Sequence, residues 1–420
     1  MKQAMLVLAL LASACIGLSA QSRNGWRGPE NNGSYPDKKL LDSWPEDGPK
    51  MVFEVMDAGK GYSSPQVVGD RIYLTGLNES EDQEVLNCYT LDGKKIYAVA
   101  YGKPWERSYP EVRTTPTFYD GKIYVISGHG DVACLNAKDG KIVWALDGGE
   151  KYARKTGNWG SSECALVYDD KVIYSPGGDI TAMVALNRNT GEEIWRAKSL
   201  GERGSYATPI LITYKGKRQI IATTPQIVYG VNPDNGEIEW TFDDWGTKLS
   251  GRGRGDGNIT PNAPLFRDGK IFYCHGYNLN GFQLQLADDL KSVSLLWRTD
   301  VMDTHHGGYV LVGNYIYGSN WINNNAGNWC CIDWNTGETK YETAWEGKGK
   351  GSIITADNKL ICFDERRGTV GLVKANPEKF EVVSEFRIEK GSGPCWAHPT
   401  ISNGILYIRH GEAFYAFKIK

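Results

Sequence analysis

The stretch from Asp120 to Trp144, "DGKIYVISGHGDVACLNAKDGKIVW", contains three short apolar runs. A longer loop separates the first run from the second, and a tight Asp-Gly turn separates the second from the third. Short alternating runs around turns of this type predict antiparallel β-hairpins. Because similar phrases recur along the chain, this stretch predicts one unit of a repetitive all-β protein.

The residue after the tight turn marks each copy of the phrase. Successive marks are 51, 49, 46, 53, 45, 44 and 46 residues apart, a nearly constant period that indicates an array of similar units. A second group of phrases, such as "LNAKDGKIVW" and "VNPDNGEIEW", adds another pair of strands to the unit. The marking residues are Arg71, Lys122, Lys171, Lys217, Lys270, Tyr315, Lys359 and Ile405.

Eight units of four strands predict an all-β fold, an eight-bladed β-propeller. The last unit ends after three strands, whereas "KMVFEV" at Lys50–Val55 has the pattern of an outer strand, with Phe53 where other units place Trp. An open ring would expose strand edges, so we expect this N-terminal strand to complete the last blade. The recurring tryptophans expected to wedge between neighbouring blades are Trp144, Trp195, Trp240 and Trp297.

Composition and charge limit the possible partners. The chain has 420 residues, of which 41% are hydrophobic and 23% are charged, with 50 glycines and a formal net charge of −3. Such a chain can bury a large β-core, but it lacks the basic field that a nucleic acid attracts. We therefore expect a monomer with no nucleic-acid partner.

The first twenty residues have the pattern of a secretory signal. Lys2 precedes an apolar run from Ala4 to Ala12, and small residues follow near residue 20. The sequence thus predicts a signal peptide at 1–20, an extension at 21–49 and one propeller domain at 50–420, exported to the periplasm or the exterior. Cys15 leaves lipidation as an outer-membrane lipoprotein open, although Ala12 is a poor match to a lipobox. No other stretch is apolar enough for a transmembrane segment.

The cysteines show no metal-binding spacing. Eight remain after Cys15, and none forms a CxxC pair, so a structural zinc site is not indicated. Cys88, Cys134 and Cys331 share one position of the repeat, which predicts buried strand positions. The spacing does not assign any disulfide.

The repeats carry a family resemblance, together with "WRGPENNG" from Trp26 and "SWPEDGPKMVFEV" from Ser43. They resemble the pyrroloquinoline-quinone-like (PQQ-like) β-propeller superfamily, which includes quinoprotein alcohol dehydrogenases and BamB, a lipoprotein of outer-membrane assembly. The resemblance covers the chain after residue 20. Because one architecture hosts unrelated functions, it leaves open a PQQ-dependent alcohol or sugar dehydrogenase and a BamB-like scaffold that binds an envelope protein.

The dehydrogenase alternative would require a specific set of groups. The resemblance implies a Ca²⁺ ion held by acidic and amide side chains, an aspartate base, an arginine near the quinone and a disulfide between adjacent cysteines. Cys330 and Cys331 are adjacent, but "NWCCIDWNTG" places them inside the third strand of blade six, where neighbouring side chains face opposite sides. No compact set of Glu, Asn and Asp residues in this sequence matches the dehydrogenase ligands position by position. PQQ with Ca²⁺ is therefore possible but not favoured as the cofactor.

The longer loops are expected on the face opposite the tight turns, around an axial funnel. They are rich in arginine, aromatic, asparagine and histidine residues. Guanidinium groups match carboxylates, and flat rings stack on sugars, so these loops predict binding of a polar, anionic glycan, with loop bracing as the alternative for any one residue. The candidate ligand-binding residues are Arg113, Trp159, Arg252, Arg254, Asp256, Trp321, Arg366, Trp396 and His398.

Histidines suggest a possible reaction. His305 and His306 could ligate a metal of unknown identity or act as acid and base. With His275 and Tyr206 they could abstract a proton beside a uronate carboxylate, as a polysaccharide lyase requires; glycosidase activity is the other enzymatic alternative. No spacing rule brings these residues together, and the sequence leaves open whether the protein is an enzyme.

Overall fold

A computed structural model describes residues 23–243 and 259–420. The predicted signal peptide and Cys15 lie outside these ranges. In the described ranges the chain forms 33 strands and one short helix, α1 (Gly148–Lys151). No helix there is long and apolar enough to cross a membrane.

Two N-terminal strands precede the strands of blades 1 to 4 along the chain. They are β1 (Arg23–Asn24), β2 (Lys50–Val55), β3 (Gln66–Val68), β4 (Arg71–Leu77), β5 (Glu84–Thr90), β6 (Lys95–Gly102), β7 (Thr117–Tyr119), β8 (Lys122–Ile126), β9 (Asp131–Asn136), β10 (Ile142–Asp147), β11 (Leu166–Tyr168), β12 (Lys171–Tyr174), β13 (Val184–Asn187), β14 (Glu193–Arg196), β15 (Ile210–Tyr214), β16 (Lys217–Thr223), β17 (Ile227–Val231) and β18 (Ile238–Asp243).

Blades 5 to 8 contain the remaining strands. They are β19 (Leu265–Arg267), β20 (Lys270–Cys274), β21 (Gly281–Leu286), β22 (Val293–Thr299), β23 (Tyr309–Val312), β24 (Tyr315–Ser319), β25 (Trp329–Asp333), β26 (Thr339–Thr343), β27 (Gly351–Ala356), β28 (Lys359–Asp364), β29 (Thr369–Lys374), β30 (Val382–Arg387), β31 (Thr400–Ser402), β32 (Ile405–His410) and β33 (Ala413–Lys418).

These strands form eight antiparallel sheets, which confirms the predicted eight-bladed propeller. Blades 1 to 7 each contain four consecutive strands, and blade 8 combines β31 to β33 with β2. The first strand of a blade lies nearest the axis, since the first strands of neighbouring blades contact one another, as β3 contacts β7 and β23 contacts β27. The predicted repeat marks coincide with the second strand of every blade: β4 begins at Arg71 and β32 at Ile405. The sequence period therefore equals one blade.

The ring closes at blade 8, as the sequence predicts. Strand β2 pairs antiparallel with β33, with Lys50 opposite Lys418 and Val55 opposite Phe414. The Phe53 ring lies 5.1 Å from the Phe414 ring, centre to centre. The N-terminal strand thus supplies the outer strand that the C-terminal unit lacks and removes the open edge.

The repeated tryptophans lie between blades, which confirms their predicted role. Trp195 of blade 3 packs so closely on Gly236 of blade 4 that a Cβ there would lie 2.5 Å from the indole. Its Nε1 also donates to the Pro233 carbonyl of blade 4, at 3.1 Å. Trp240 instead donates to Gln219 of its own blade, at 2.9 Å, while its ring joins a cluster shared with blade 5. Equivalent contacts join Trp144 to Gly191, Trp297 to Gly337 and Phe53 to Gly93.

The cysteines are structural. The eight described ones are buried and form no disulfide with one another, including Cys88, Cys134 and Cys331 at the predicted repeat position. Cys330 joins the apolar cluster between blades 5 and 6, whereas Cys331 joins the cluster between blades 6 and 7. Adjacent side chains of β25 thus face opposite sides of the sheet, as predicted.

The segment between β1 and β2 crosses the centre of the ring. Strand β1 pairs with β7 of blade 2, whereas Ser34 forms a parallel bridge with Thr355 of blade 7. Between these points Arg27 is buried and donates to the Tyr309 carbonyl of blade 6. Because these contacts reach blades on different sides of the axis, the segment closes the central channel and gives the funnel a floor.

The two faces of the disc differ in their connections. Tight turns join the first strand of a blade to the second; Asp120 and Gly121 adopt φ values of 49° and 75° there, the left-handed pair that a hairpin turn of this kind needs. The connections between blades lie on the opposite face and are longer. Residues 103–116 join blade 1 to blade 2, and residues 300–308 join blade 5 to blade 6.

Candidate functional site

The irregular face encloses a cavity of about 690 Å³. Its walls come from connections all around the ring, so the cavity lies on the propeller axis. The lining residues are Trp26, Tyr62, Tyr109, Arg113, Trp159, Ser162, Tyr206, Ile259, Pro261, Tyr277, His305, His306, Trp321, Asn324, Asn325, Glu365, Arg366, Pro394, Trp396 and His398.

Most of the candidate residues from the sequence line this one cavity. They are Arg113, Trp159, Tyr206, His305, His306, Trp321, Arg366, Trp396 and His398. His275 is not among the lining residues: it is buried, and its ring lies 5.4 Å from Tyr273 and 5.7 Å from Phe282. Arg252, Arg254 and Asp256 lie outside the described residues.

Aromatic rings dominate the wall near blades 7 and 8. Trp396 is surrounded by Tyr109 at 4.8 Å, Tyr62 at 5.0 Å and His306 at 4.7 Å between ring centres. Trp321 is only partly buried, and its ring lies 5.2 Å from that of Tyr277. Rings fixed by edge contacts of this kind keep their faces available to a flat or ring-shaped ligand.

Two guanidinium groups border the same space. Arg113 donates to the Ser108 carbonyl at 3.1 Å, and Arg366 donates to the Asn325 carbonyl at 3.1 Å. Within residues 23–243 and 259–420, neither group forms an ion pair with a carboxylate. Their positive charge therefore stays available for an anion that enters the cavity.

Two histidines and a carboxylate form a compact cluster. The His305 and His306 rings lie 3.7 Å apart, centre to centre, and His305 Nδ1 lies 3.5 Å from Glu365 Oε2. One potential ligand atom from each of the three residues lies within 4.8 Å of the others. The second oxygen of Glu365 accepts a hydrogen bond from the buried Lys350 ammonium, which also donates to the Asn324 carbonyl at 3.1 Å. The cluster thus contains both charges of a buried ion pair.

Two glycines let this histidine loop approach its neighbours. A Cβ at Gly307 would lie 1.9 Å from the Gly351 carbonyl oxygen. Gly308 has a φ of +68°, and a Cβ there would collide with Arg27 at 1.9 Å. The Asn262 amide donates to the Thr304 carbonyl at 2.8 Å and fixes the start of the loop. The sequence "THHGG" therefore positions both imidazoles at the cavity wall.

Burial keeps the three funnel histidines neutral. It lowers the pKa of His305 well below its ordinary value, and the nearby Lys350 charge acts in the same direction. The pKa of His306 is likewise lowered, mainly by burial. Burial and the Arg27 charge lower the pKa of His398 to about 3. Because His398 Nε2 faces the His306 carbonyl at 2.9 Å, this nitrogen carries the proton and Nδ1 carries the lone pair.

Sequence reasoning missed several residues of the site. Trp26 reaches the cavity only because the N-terminal segment crosses the ring; its ring lies 5.2 Å from His398. Glu365 stands beside the candidate Arg366 in "DERRG", but its pairing with Lys350 spans a whole β-hairpin. Polar residues in adjacent loops give no local signal for such contacts.

The sequence is similar to a known family and to quinone-linked enzymes. A family model described as outer membrane protein assembly factor BamB matches residues 92–343, more than half of the chain. A 1-butanol dehydrogenase (quinone) of Thauera butanivorans is 24% identical over 314 residues, 66% of this chain and 48% of that protein. A quinoprotein ethanol dehydrogenase of Pseudomonas aeruginosa is 30% identical over 137 residues, 29% of this chain and 21% of that protein. The chain thus spans about half or less of these relatives.

Solved structures share the architecture. BamB from Moraxella catarrhalis superposes with a TM-score of 0.63 at 15% identity, over 88% of this chain and 99% of that one. Quinohemoprotein alcohol dehydrogenase from Comamonas testosteroni gives a TM-score of 0.67 at 13% identity, over 93% of this chain and 79% of that one. At such identities the likeness concerns the fold alone.

Proposed function

The chain belongs to the PQQ-like propeller family described as outer membrane protein assembly factor BamB. We propose that it binds a ligand in the funnel of its propeller. The funnel binds an anionic glycan, with a uronate-containing oligosaccharide as the expected ligand. The observation that supports this most is the combination of exposed ring faces with two guanidinium groups, Arg113 and Arg366, around one cavity.

Each group has a defined task in this proposal. Trp396 and Trp321 offer apolar faces to the C–H face of a sugar ring. Arg366 and Arg113 face its carboxylates, which a guanidinium fork binds with two parallel hydrogen bonds. The side chains of Asn324 and Asn325 add donors and acceptors for hydroxyl groups. A cavity of about 690 Å³ lies within the usual size range of small-ligand sites.

Proton abstraction is a less suitable task for the histidines. A catalytic base works best with a pKa near the working pH, whereas burial lowers the pKa of His305 and His306 well below it. His275, the third histidine of that hypothesis, lies outside the cavity lining. Binding without turnover is therefore the simpler use of the site.

The described residues do not fit PQQ with Ca²⁺. The resemblance implies an all-oxygen set of acidic and amide ligands, as Ca²⁺ prefers. In the described part of the lining, Glu365 is the one acid, and Lys350 already occupies one of its oxygens. Its other neighbours are imidazole nitrogens, which suit transition metals better. Cys330 and Cys331 are buried in β25 and do not line the cavity.

A protein partner is the second candidate, as a BamB-like scaffold would need. The observation that favours it is the outer strand β2, where Met51 and Val52 are each 47% exposed. Loss of co-purification with envelope proteins after Met51→Lys and Val52→Lys would support this alternative, and unchanged co-purification would remove it.

A carbohydrate array tests the main proposal. Neutral, sulfated and uronate oligosaccharides are compared, and calorimetry then measures the affinity of the best probe for Trp396→Ala. The control is Tyr214→Ala, a half-buried aromatic residue at the tight turns of the opposite face. Binding of uronates that Trp396→Ala weakens and Tyr214→Ala preserves would support the proposal. No uronate binding, or equal effects of both variants, would contradict it.

A further inference from the structure

We propose that His305, His306 and Glu365 bind a divalent transition-metal ion, with Zn²⁺ as the expected species, in the wall of the funnel. Metal binding at this cluster is independent of which ligand the funnel binds. Two imidazoles and one carboxylate are the protein ligands of a common class of zinc site, in which the fourth position stays open for water or a ligand.

The spacing of the three groups suits such an ion. Zinc binds nitrogen and oxygen at about 2.0–2.2 Å in a tetrahedron, so its ligand atoms stand about 3.3–3.6 Å apart. His305 Nδ1 and Glu365 Oε2 already lie 3.5 Å apart. The complete set of ligand atoms spans at most 4.8 Å. Side-chain rotations that shorten the longest of these separations would therefore close the set around one ion.

Each imidazole of the cluster has one buried nitrogen without a hydrogen bond among the described residues. His305 Nδ1 and His306 Nε2 are buried, and neither has a hydrogen-bond partner among the described residues. His305 itself is only 7% exposed. A buried polar atom without a partner costs free energy, and such an atom in a folded protein calls for an unseen ion or water. A metal ion would satisfy both nitrogens together.

The surrounding contacts support the ligands. His398 donates to the His306 carbonyl at 2.9 Å, and Asn262 donates to the Thr304 carbonyl just before His305. Both contacts are made to backbone carbonyls, so they hold the loop that carries the two imidazoles in place. Because His305 and His306 are consecutive and Gly307 follows them, the loop holds both rings on the same wall.

Lys350 sets the strength of the site. Its ammonium bonds to Oε1 of Glu365, while Oε2 faces His305. The carboxylate can thus keep its lysine and still offer one oxygen to an ion. The positive charge of Lys350 opposes a second cation, so the expected affinity is lower than that of the same ligand set without the lysine.

Metal titration of the full chain tests the proposal. The protein is first freed of metal with a chelator, and Zn²⁺ is then added in a calorimeter against a competing dye. We expect one Zn²⁺ ion per chain. Added Co²⁺, which gives visible absorption bands in nitrogen and oxygen sites of low coordination number, should produce bands that Zn²⁺ removes. These readouts use the unmodified protein, so they do not depend on whether a variant folds.

Substitutions assign the ion to the cluster. His305→Ala and His306→Ala should each weaken Zn²⁺ binding by about 100-fold or more, since even supporting residues contribute about 10- to 100-fold. Lys350→Met should strengthen Zn²⁺ binding, because it removes the opposing charge. The control is His129→Ala: His129 also contacts a carboxylate, Glu106 at 2.9 Å, but does not belong to the cluster. Its removal should leave the titration unchanged.

The variants distinguish binding at the cluster from binding elsewhere. One Zn²⁺ ion, lost in His305→Ala and His306→Ala and kept in His129→Ala, would establish the site. Absence of Zn²⁺ binding and of Co²⁺ bands in the unmodified protein would overturn it. Binding that His129→Ala removes would also overturn it, because the ion would then lie elsewhere. Weaker binding in Lys350→Met would contradict the competing role assigned to the lysine.

Discussion

Two tryptophans show how the ring differs from the funnel. Trp195 is buried between blades, packs on Gly236 and donates its indole N–H to a carbonyl of the next blade. Trp321 lies at the cavity, half buried, and its indole nitrogen has no hydrogen-bond partner among the described residues. The same type of side chain thus joins two blades in one place and lines the cavity in the other. Substitutions in the two regions should separate stability from binding.

The largest effect is expected from Trp195→Ala. Removing a buried indole between two blades leaves a cavity, and such changes cost about 3–5 kcal/mol in free energy of unfolding. Urea denaturation measures the loss. Trp396→Ala at the funnel should cost less stability but more affinity for the glycan. Equal stability losses in both variants would mean that the Trp396 indole contributes as much to folding as the Trp195 indole.

A buried carboxyl group near the funnel makes stability depend on pH. Glu84 accepts hydrogen bonds from Tyr101 at 2.6 Å and from the Gly128 amide at 2.8 Å, yet burial raises its pKa to about 7. The folded state therefore holds this proton more tightly than the unfolded state, whose pKa is near 4.5. Stability from this group is complete below pH 4.5 and is lost as the pH rises through 7.

Glu84→Gln tests this sign. Between pH 5 and pH 8 the free energy of unfolding of the natural protein should fall by about 2–3 kcal/mol more than that of the variant, since one pKa unit corresponds to about 1.4 kcal/mol. Urea denaturation at both pH values gives the difference. Parallel pH profiles of the two proteins would show that Glu84 titrates normally.

Arg366→Ala should act on binding rather than on stability. Loss of a charged hydrogen bond to a ligand carboxylate costs about 1.5–3 kcal/mol, or about 10- to 100-fold in affinity for a uronate oligosaccharide. Because the interaction is between charges near solvent, the loss should shrink as the salt concentration rises. Calorimetry at two salt concentrations measures it. An effect independent of salt would point to loop bracing through the Asn325 carbonyl instead.

Arg218→Ala on the turn face should have the smallest effect. Its guanidinium lies 2.7 Å from Asp169 and 3.6 Å from Asp234, but the side chain is 37% exposed. Exposed ion pairs contribute less than about 1 kcal/mol. Thermal unfolding and uronate binding should both stay close to those of the natural protein. A loss of uronate affinity in Arg218→Ala would show that the ligand also contacts the face with the tight turns, which would contradict the proposed site.

The ring could be predicted because each blade repeats its own local signals. The marking residues from Arg71 to Ile405 all begin second strands, and Lys50–Val55 forms the closing strand with the predicted bounds. Turn residues and alternating apolar runs determine structure over a few residues, so a short stretch of sequence is enough to predict each hairpin.

The site could be predicted only by residue type. The length of their loops predicts the irregular face for Arg113, Trp321 and Trp396, and all three line its cavity. Their contacts could not be predicted, because Trp396 meets Tyr62 and Tyr109 across the ring closure. Packing between distant loops leaves no period in the sequence.

Hydrogen–deuterium exchange with a bound uronate tetrasaccharide tests most directly whether the irregular face is the ligand site. The account predicts added protection in the loops at 103–116, 300–308 and 391–399, with no change at the tight turns of the opposite face. Protection confined to those turns or to the outer strands, or no protection at a saturating concentration, would contradict it.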